Sequence, residues 1–236
     1  MSGTLYLIPT PISEEFALEI ISPEIRKAVA SIRHYALEDI RTARRFLKLI
    51  DKAIDIDNIT FFNISKNLTP LDEQNIITAL NNGNHVGVMS EAGVPCVADP
   101  GSNVVLAAHN ANIKVEPLIG PSSILLALMG SGLNGQRFEF HGYLPVKSHE
   151  RRKSIHNLEK DSALNIKTQI FIETPYRNTS MFQDILQVCQ PATLLTVAID
   201  LTGNNQVLKT MTIEDWRQDK LEFPKKPAIF ALFVQK

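Results

Sequence analysis

The segment from His85 to Gly101, HVGVMSEAGVPCVADPG, constrains this chain more than any other. Val86 and Val88, with small or apolar residues around them, read as a short strand buried on both faces, the kind found inside a parallel sheet. The strand cannot continue past Met89. Glu91, Gly93, Pro95, Asp99, Pro100 and Gly101 bring carboxylates, flexible glycines and rigid prolines into one loop. An open α/β sheet places its ligand loops there, beyond the carboxyl ends of its strands. The loop is therefore expected to floor a small-molecule site.

The chain has 236 residues, 44% hydrophobic and 21% charged, which suits one large or two compact globular domains with a real core. A formal net charge of −1 excludes strong delocalised attraction to nucleic acid but leaves room for a local basic patch. Cys96 and Cys189 lie far apart without metal-ligand spacing. The six histidines show no HExxH-type pattern, so no metal is expected. The opening MSGTLYLIPTPISEE lacks a basic, long-apolar leader, and no apolar stretch reaches the ~18 residues of a membrane span. A cytoplasmic chain with reduced thiols and no membrane association is the expectation.

Taken in order, Thr4–Ile8 reads as a strand closed by Pro9-Thr10-Pro11. Ser22-Pro23 opens a helix with Ile25, Ala28, Val29 and Ile32 inward. Tyr35–Leu37 is a strand, Arg41–Ile50 a helix, Thr60–Ile64 a brief strand, and Thr69-Pro70 opens a helix that Asn82-Gly83 stops. After the His85–Gly101 segment come a helix over Gly101–Asn110, a strand over Ile113–Ile119 and a helix over Ile124–Gly130. This alternation predicts a parallel sheet with crossover helices. The loop Ser131–Gly135 offers a hinge or linker.

Beyond it, strands at Phe138–Gly142, Gln169–Glu173, Thr193–Asp200, Val207–Met211 and Ala228–Val234 outnumber helices, the clearest being Lys147–Leu158 and Arg177–Cys189. Short connections between the last strands call for antiparallel pairing. The expected fold class is α/β: two α/β domains with a cleft between them, 1–120 built on a mostly parallel sheet and 121–236 on a mixed one.

Four polar clusters fall at predicted strand ends. Glu38, Asp39 and Arg41 suit an acidic helix N-terminus on the helix dipole, the reading that periodicity favours, or a base or substrate anchor. The loop 90–101 suits close backbone approach to a ligand. Ser122 and Ser123 either present hydroxyls to a ligand or cap a helix. Glu173 and Arg177 form a structural ion pair or a charged contact. The basic runs Arg41-Arg44-Arg45-Lys48 and Lys147-Arg151-Arg152-Lys153 are phosphate-neutralising or merely solvated faces. No GxSxG elbow, P-loop or GxGxxG supports a hydrolase or ordinary nucleotide-binding reading.

In their order, GTLYLIPTPI, LEDIR, VGVMSEAGVPCVADPG, PLIGPSS, GYLPVK and ETPYR resemble the tetrapyrrole methylase superfamily. The resemblance is nearest to its branch of small-subunit ribosomal RNA cytidine 2′-O-methyltransferases. It implies a homodimer that binds S-adenosyl-L-methionine between two domains and acts on RNA or the small ribosomal subunit. By position it implies donor contacts at Pro11, Ile12, Glu91, Ala92, Gly93, Val94, Ser122 and Ser123. From the second domain it adds Ile172, Glu173, Ala198, Ile199, Pro227 and Ala228. Glu38, Asp39, Arg41 and Arg177 would face the acceptor as catalytic residues.

The chain makes three departures from the branch's pattern, the first and the last of them on the acceptor side. Ile12-Ser13-Glu14-Glu15 stands where a Gly-Asn turn is usual, Glu91 replaces an Asp, and LTGNNQV follows Asp200 in place of a Lys and a His-Glu-Glu run. Methylation of a small molecule such as a tetrapyrrole, and donor binding without activity, are the alternative expectations.

Overall fold

The structure is a computed structural model that describes residues 2–13, 15, 19, 21–64 and 68–235. The chain forms two compact units, residues 1–122 and 123–236.

In the first unit, β1 (Thr4–Ile8), β2 (His34–Leu37), β3 (Thr60–Asn63), β4 (Val86–Met89) and β5 (Lys114–Pro117) form an all-parallel sheet in the order β3-β2-β4-β1-β5. The connecting helices are α1 (Pro23–Ser31), α2 (Ile40–Ile50), α3 (Pro70–Asn81) and α4 (Ser102–Asn110), with a 3-10 turn at Ile56–Asn58. Side-chain alternation along the strands decides which helix covers which face. Ile8, Tyr35, Leu37 and Met89 pack with Ile25 and Val29 of α1 and Phe46 and Leu47 of α2. Leu5, Ala36, Val86 and Val88 pack with Ile76 and Leu80 of α3 and Val104 and Ala108 of α4. Gly87 faces the first of these cores, where a Cβ would stand 2.7 Å from Ile8 Cδ1 and 3.0 Å from the Tyr35 ring, so two large neighbours require the small residue.

This arrangement opens a crevice. The strand β4 lies between β2 and β1; its neighbours send their chains to helices on one face, while β4 feeds α4 on the other. Strand-end loops that part in this way leave a gap at the carboxyl edge of the sheet, where open α/β folds take their ligands.

In the second unit, β6 (Phe138–Tyr143), β7 (Thr168–Glu173), β8 (Leu194–Ile199), β9 (Val207–Thr212) and β10 (Ala228–Phe233) run in the order β6-β7-β10-β8-β9. Only β6 and β7 are parallel; the other pairings are antiparallel. The mixed sheet expected from short connections is thus present. Its helices are α5 (Ser123–Ser131), α6 (Ser148–Asn165), α7 (Asn178–Val188) and the one-turn α8 (Ile213–Trp216). One face packs Phe171, Val197 and Phe230 against Ile155, Met181, Phe182 and Trp216; the other packs Ile170, Ala198 and Ile229 against Ile124, Ala127 and Leu128 of α5.

Most predicted elements lie within a residue or two of those observed, with three differences. The strand expected over Ile113–Ile119 shortens to Lys114–Pro117: Ile113 N is held by Ala108 O at the end of α4, and pairing with β1 ends with Leu118 N donating to Leu7 O at 3.0 Å. The helix expected to end at Leu158 runs to Asn165: Glu159 and Ser162 look like surface residues but are buried, Glu159 accepting from Gln190 N and Thr193 Oγ1 and Ser162 from Val234 N. Ser131–Gly135 is not a linker between the units but part of the second, where the Ser131 carbonyl accepts from Thr210 Oγ1 at 2.8 Å and Asn134 Nδ2 donates to Ile166 O at 2.7 Å. No helix among the described residues is long and apolar enough to cross a membrane.

Candidate functional site

The floor of the crevice is tied before any ligand is considered. Thr10 N donates to Gly93 O at 2.9 Å and Gly93 N to Thr10 O at 3.0 Å, a single antiparallel bridge joining the loops after β1 and β4. Ser90 Oγ donates to the same Gly93 carbonyl at 2.9 Å, and Thr10 Oγ1 to Ser90 O at 3.3 Å. Gly93 holds φ at +80°, and a Cβ there would lie 3.3 Å from Pro121 O, so the segment after β5 closes on the same point. A residue without a Cβ is what this turn requires. Further along the loop Cys96 and Ala98 hold φ at 67° and 64°, a conformation uncommon for residues with side chains and concentrated at functional sites.

A cavity of about 510 Å³ opens beside this floor, within the size range of small-ligand pockets. Pro11, Ile12, Glu91 and Ala92 line one side, and Thr42, Arg45, Phe46 and Leu49 of α2 the other. The expected positions Pro11, Ile12, Glu91, Ala92, Gly93 and Val94 are thus gathered on the β1 and β4 loops. Of the altered turn, Ile12 and Ser13 stand at the cavity, whereas Glu14 lies outside the described residues.

Three carboxylates share the carboxyl edge of the sheet. Asp99 is half-buried, and burial together with the charges of Glu38 and Glu91 pushes its pKa up to about 6. Asp99 also lines a second cavity of about 320 Å³ with Ile64, Leu68, Ser102 and Asn103. Asp39 is engaged differently: as the N-cap of α2 it accepts from Thr42 N at 2.7 Å. That hydrogen bond is the main reason its pKa lies below the ordinary carboxylate value. Arg41 sits in the first turn of α2, exposed. Among the described residues no group of three His, Cys, Asp or Glu is arranged to hold a metal.

In the second unit the expected positions come together through strand register. Glu173, Ala228 and Ile199 are direct neighbours across β7, β10 and β8, and Ile172, Ile229 and Ala198 form the next row. Glu173, Ala198, Ile199 and Ala228 are buried, while Ile172 is half-buried and Pro227 exposed. Arg177 donates to Glu173 Oε2 and, at 2.9 Å, to Leu144 O, the ion-pair alternative stated from the sequence. Ser122 ends the first unit and Ser123 is the first residue of α5.

The sequence pointed to neither Thr42 nor Leu49, and to Asp99 and Arg45 only as members of the ligand loop and of a basic run. For Asp99 the signal was its place in the same loop as Glu91; for the α2 residues it was the basic run on an amphipathic helix.

No protein-family model matches the chain. Over 218 residues it is 31% identical to a protein of Vibrio cholerae serotype O1 named ribosomal RNA small subunit methyltransferase I, spanning 89% of this chain and 69% of that protein. A protein of the same name from Xylella fastidiosa is 31% identical over 94% of this chain and 80% of its own length. In structure the chain is similar to uroporphyrin-III-C-methyltransferase from Thermus thermophilus, with a TM-score of 0.56 at 17% identity over 99% of this chain and 93% of that one. It is also similar to the methyltransferase CobJ, with a TM-score of 0.61 at 16% identity over 98% and 94%. These two likenesses establish a tetrapyrrole methylase fold, as the ordered motifs implied. With 31% identity across most of both sequences, the chain belongs to the ribosomal RNA small subunit methyltransferase I family.

Proposed function

We propose that this methyltransferase moves a methyl group from S-adenosyl-L-methionine to the 2′-hydroxyl of a cytidine in small-subunit ribosomal RNA. The observation that carries the reading is the crevice: the loops after β1 and β4 are bridged at Thr10 and Gly93 and edge a cavity whose opposite wall is the basic helix α2. A donor on the loop side and an acceptor on the α2 side would meet there.

The second unit, taken by itself, carries groups that such a donor would satisfy. Among the described residues four buried side-chain polar atoms lack a hydrogen-bond partner, and three of them, Arg177 Nε, Asn178 Oδ1 and Thr202 Oγ1, stand just beyond the ends of β7 and β8. Leaving such atoms unpaired is costly. A ligand bearing a carboxylate, an amine and a heteroaromatic base could satisfy both the donor and the acceptors. Pro227 and Ile172 would give it apolar contact at the open edge of the same row.

S-adenosylmethionine supplies an electrophilic methyl on its sulfonium sulfur. The S–CH3 bond breaks as the O–CH3 bond forms, and the 2′-hydroxyl proton must leave. Alignment therefore does most of the work. The bridged floor holds Pro11, Ile12, Glu91 and Ala92 in place, and Arg41 meets phosphate. Asp39 is occupied as a helix cap, so Glu38, coupled electrostatically to Asp99, is the better proton acceptor. A homodimer in the cytoplasm completes the reading. Leu125 and Met129, four residues apart on α5 and 56% and 77% exposed, are apolar side chains of the kind a subunit interface covers.

Incubation with labelled donor and undermethylated small ribosomal subunits tests the proposal. Label in a ribose of the RNA supports it. Label in a tetrapyrrole but not in RNA, or donor binding without transfer to either, overturns it.

A further inference from the structure

The two basic runs of the sequence have different fates. In the second run Lys153 stays an exposed cation, but the two arginines of α6 are engaged internally: Arg151 is buried, its Nε donating to Asp184 Oδ2 at 2.7 Å and its Nη1 to Val146 O at 3.0 Å. Arg152 donates to Gln187 at 2.8 Å and lies 3.7 Å from Asp184, while Lys147 lies 3.7 Å from Glu150. On α2 the cations stay at the surface, Lys48 donating only to the Lys52 carbonyl at 2.9 Å. Arg41, Arg44, Arg45 and Lys48 are all exposed. Among the described residues Arg41, Arg44 and Lys48 have no carboxylate within the 4.0 Å of an ion pair.

The distribution of charge makes this helix exceptional in its unit. Residues 1–122 carry fourteen Asp and Glu against ten Lys and Arg, yet four of those ten cations stand on α2, which has no acid. Positions 41, 44, 45 and 48 follow the i, i+3, i+4, i+7 spacing and form one stripe, about 10 Å long at 1.5 Å per residue. Arg41 is in the first helical turn, where the helix dipole disfavours a cation; local stability does not explain it. The Arg44 guanidinium lies 5.8 Å over the Phe61 ring, a stacking that orients the planar group without neutralising its charge. Arg45, Thr42 and Leu49 carry the stripe to the rim of the 510 Å³ cavity.

We propose that the exposed face of α2 is the track for the substrate RNA strand, Arg41, Arg44, Arg45 and Lys48 meeting its phosphates while the target nucleoside is turned out into the cavity beside Thr42 and Leu49. The inference rests on RNA being the methyl acceptor, and it adds where and by which charges the RNA is held. A single strand is the occupant that fits. The stripe spans only about 10 Å, its backbone charges complement the stripe, and a nucleoside freed from a stack can enter a side cavity.

The test measures binding of the purified chain to undermethylated small ribosomal subunits and to their RNA as a function of salt, together with label transfer and calorimetric donor binding. Each phosphate neutralised on a single strand contributes about 0.7 to the log–log salt slope. The variant R41Q/R44Q/R45Q/K48Q should therefore lose roughly 1.5–2 from the slope, if two to three phosphates are met, and bind at least 30-fold more weakly in low salt. S-adenosylmethionine affinity should stay within twofold. The variant R41K/R44K/R45K should keep most of the slope, which separates loss of charge from loss of fold, and the α6 surface variant K153Q/K160Q should match the unsubstituted chain. An unchanged slope in the quadruple variant, while the unsubstituted chain still methylates small subunits, overturns the track and leaves the acceptor reading standing. If the unsubstituted chain neither binds nor methylates small subunits, both fall. Competition by polyglutamate as effective as that by RNA of equal charge would point to an acidic protein on this face and also overturn the track.

Discussion

Thr10 and Gly93 exchange two backbone hydrogen bonds, 2.9 and 3.0 Å long, across 83 residues of sequence, and this bridge sets the geometry of the crevice floor. It depends on Gly93 holding φ at +80°. An L-residue in the left-handed region costs roughly 1–2 kcal/mol, and a Cβ at Gly93 would also press on Pro121 O at 3.3 Å. Gly93→Ala is expected to bind S-adenosylmethionine at least tenfold more weakly by calorimetry. Thr10→Val, which keeps the backbone bridge, should change binding less than threefold. Equal donor affinity in the Gly93 variant would remove this floor from the donor site.

Glu38 and Asp39 are neighbours in sequence but differ in task. Asp39 caps α2 through Thr42 N, so Asp39→Ala should lower the melting temperature by roughly 2–4 °C, the usual loss for a cap in a chain of this size. Asp39→Asn should restore both stability and turnover. Glu38→Gln should leave the melting temperature in place and reduce kcat at least 100-fold, within the range of general-base losses. Loss of turnover in Asp39→Asn with full activity in Glu38→Gln would reverse the assignment.

The burial of Asp99 predicts a pH dependence for the fold and a test of one for the reaction. Its pKa is raised to about 6 from an ordinary 3.8 by burial first, then by Glu38 and Glu91. Because the folded value is the higher one, the contribution of this group to stability is fully present below about pH 4 and is lost as pH rises through 6. Asp99→Asn should therefore remove part of the stability loss between pH 4 and 7. If turnover needs the ionised cluster, kcat rises with an inflection near pH 6, and Glu91→Gln, by deleting one raising charge, moves that inflection lower. An inflection that stays put in Glu91→Gln would separate the two acids.

Thr202 offers a cleaner probe of the donor than any charged residue. Its hydroxyl is buried without a partner, so removing it leaves no acceptor or donor stranded. Thr202→Val should leave stability unchanged or slightly raised in thermal melts, yet weaken donor binding several-fold. Unchanged affinity would place the donor away from the end of β8.

Much of this was legible in the sequence because the signals were local. The strand ending at Met89, the prolines after Ile8 and the Ser22-Pro23 helix start are each decided by a few adjacent residues. The buried Glu159 and Ser162 were not legible, since their partners Gln190, Thr193 and Val234 lie 31 to 72 residues away. The two basic runs look alike as strings and diverge chiefly through Asp184 and Gln187, which a distant helix brings to Arg151 and Arg152. Likewise the raised pKa of Asp99 arises from its burial and then from Glu38, 61 residues earlier, which no spacing rule connects to it.

The pair Glu173 and Arg177 shows how an expected acceptor contact and a structural role are to be told apart. The Glu173 side chain is 0% exposed and Arg177 21%; the carboxylate also accepts from Thr174 N at 2.7 Å. Arg177→Met would leave that carboxylate buried with only the backbone donor, a loss expected to cost about 3–5 kcal/mol. Substituting Glu173→Gln in the same chain removes the stranded charge and should recover most of the stability. Urea unfolding of the two single variants and the double variant measures this coupling. If Arg177 serves the pair alone, the double variant regains methyl transfer along with its fold. If its Nε, buried and unpaired, also holds substrate or donor, the double variant folds normally but transfers label slowly, with the deficit in KM when the lost contact is uniform binding and in kcat when it forms only in the transition state.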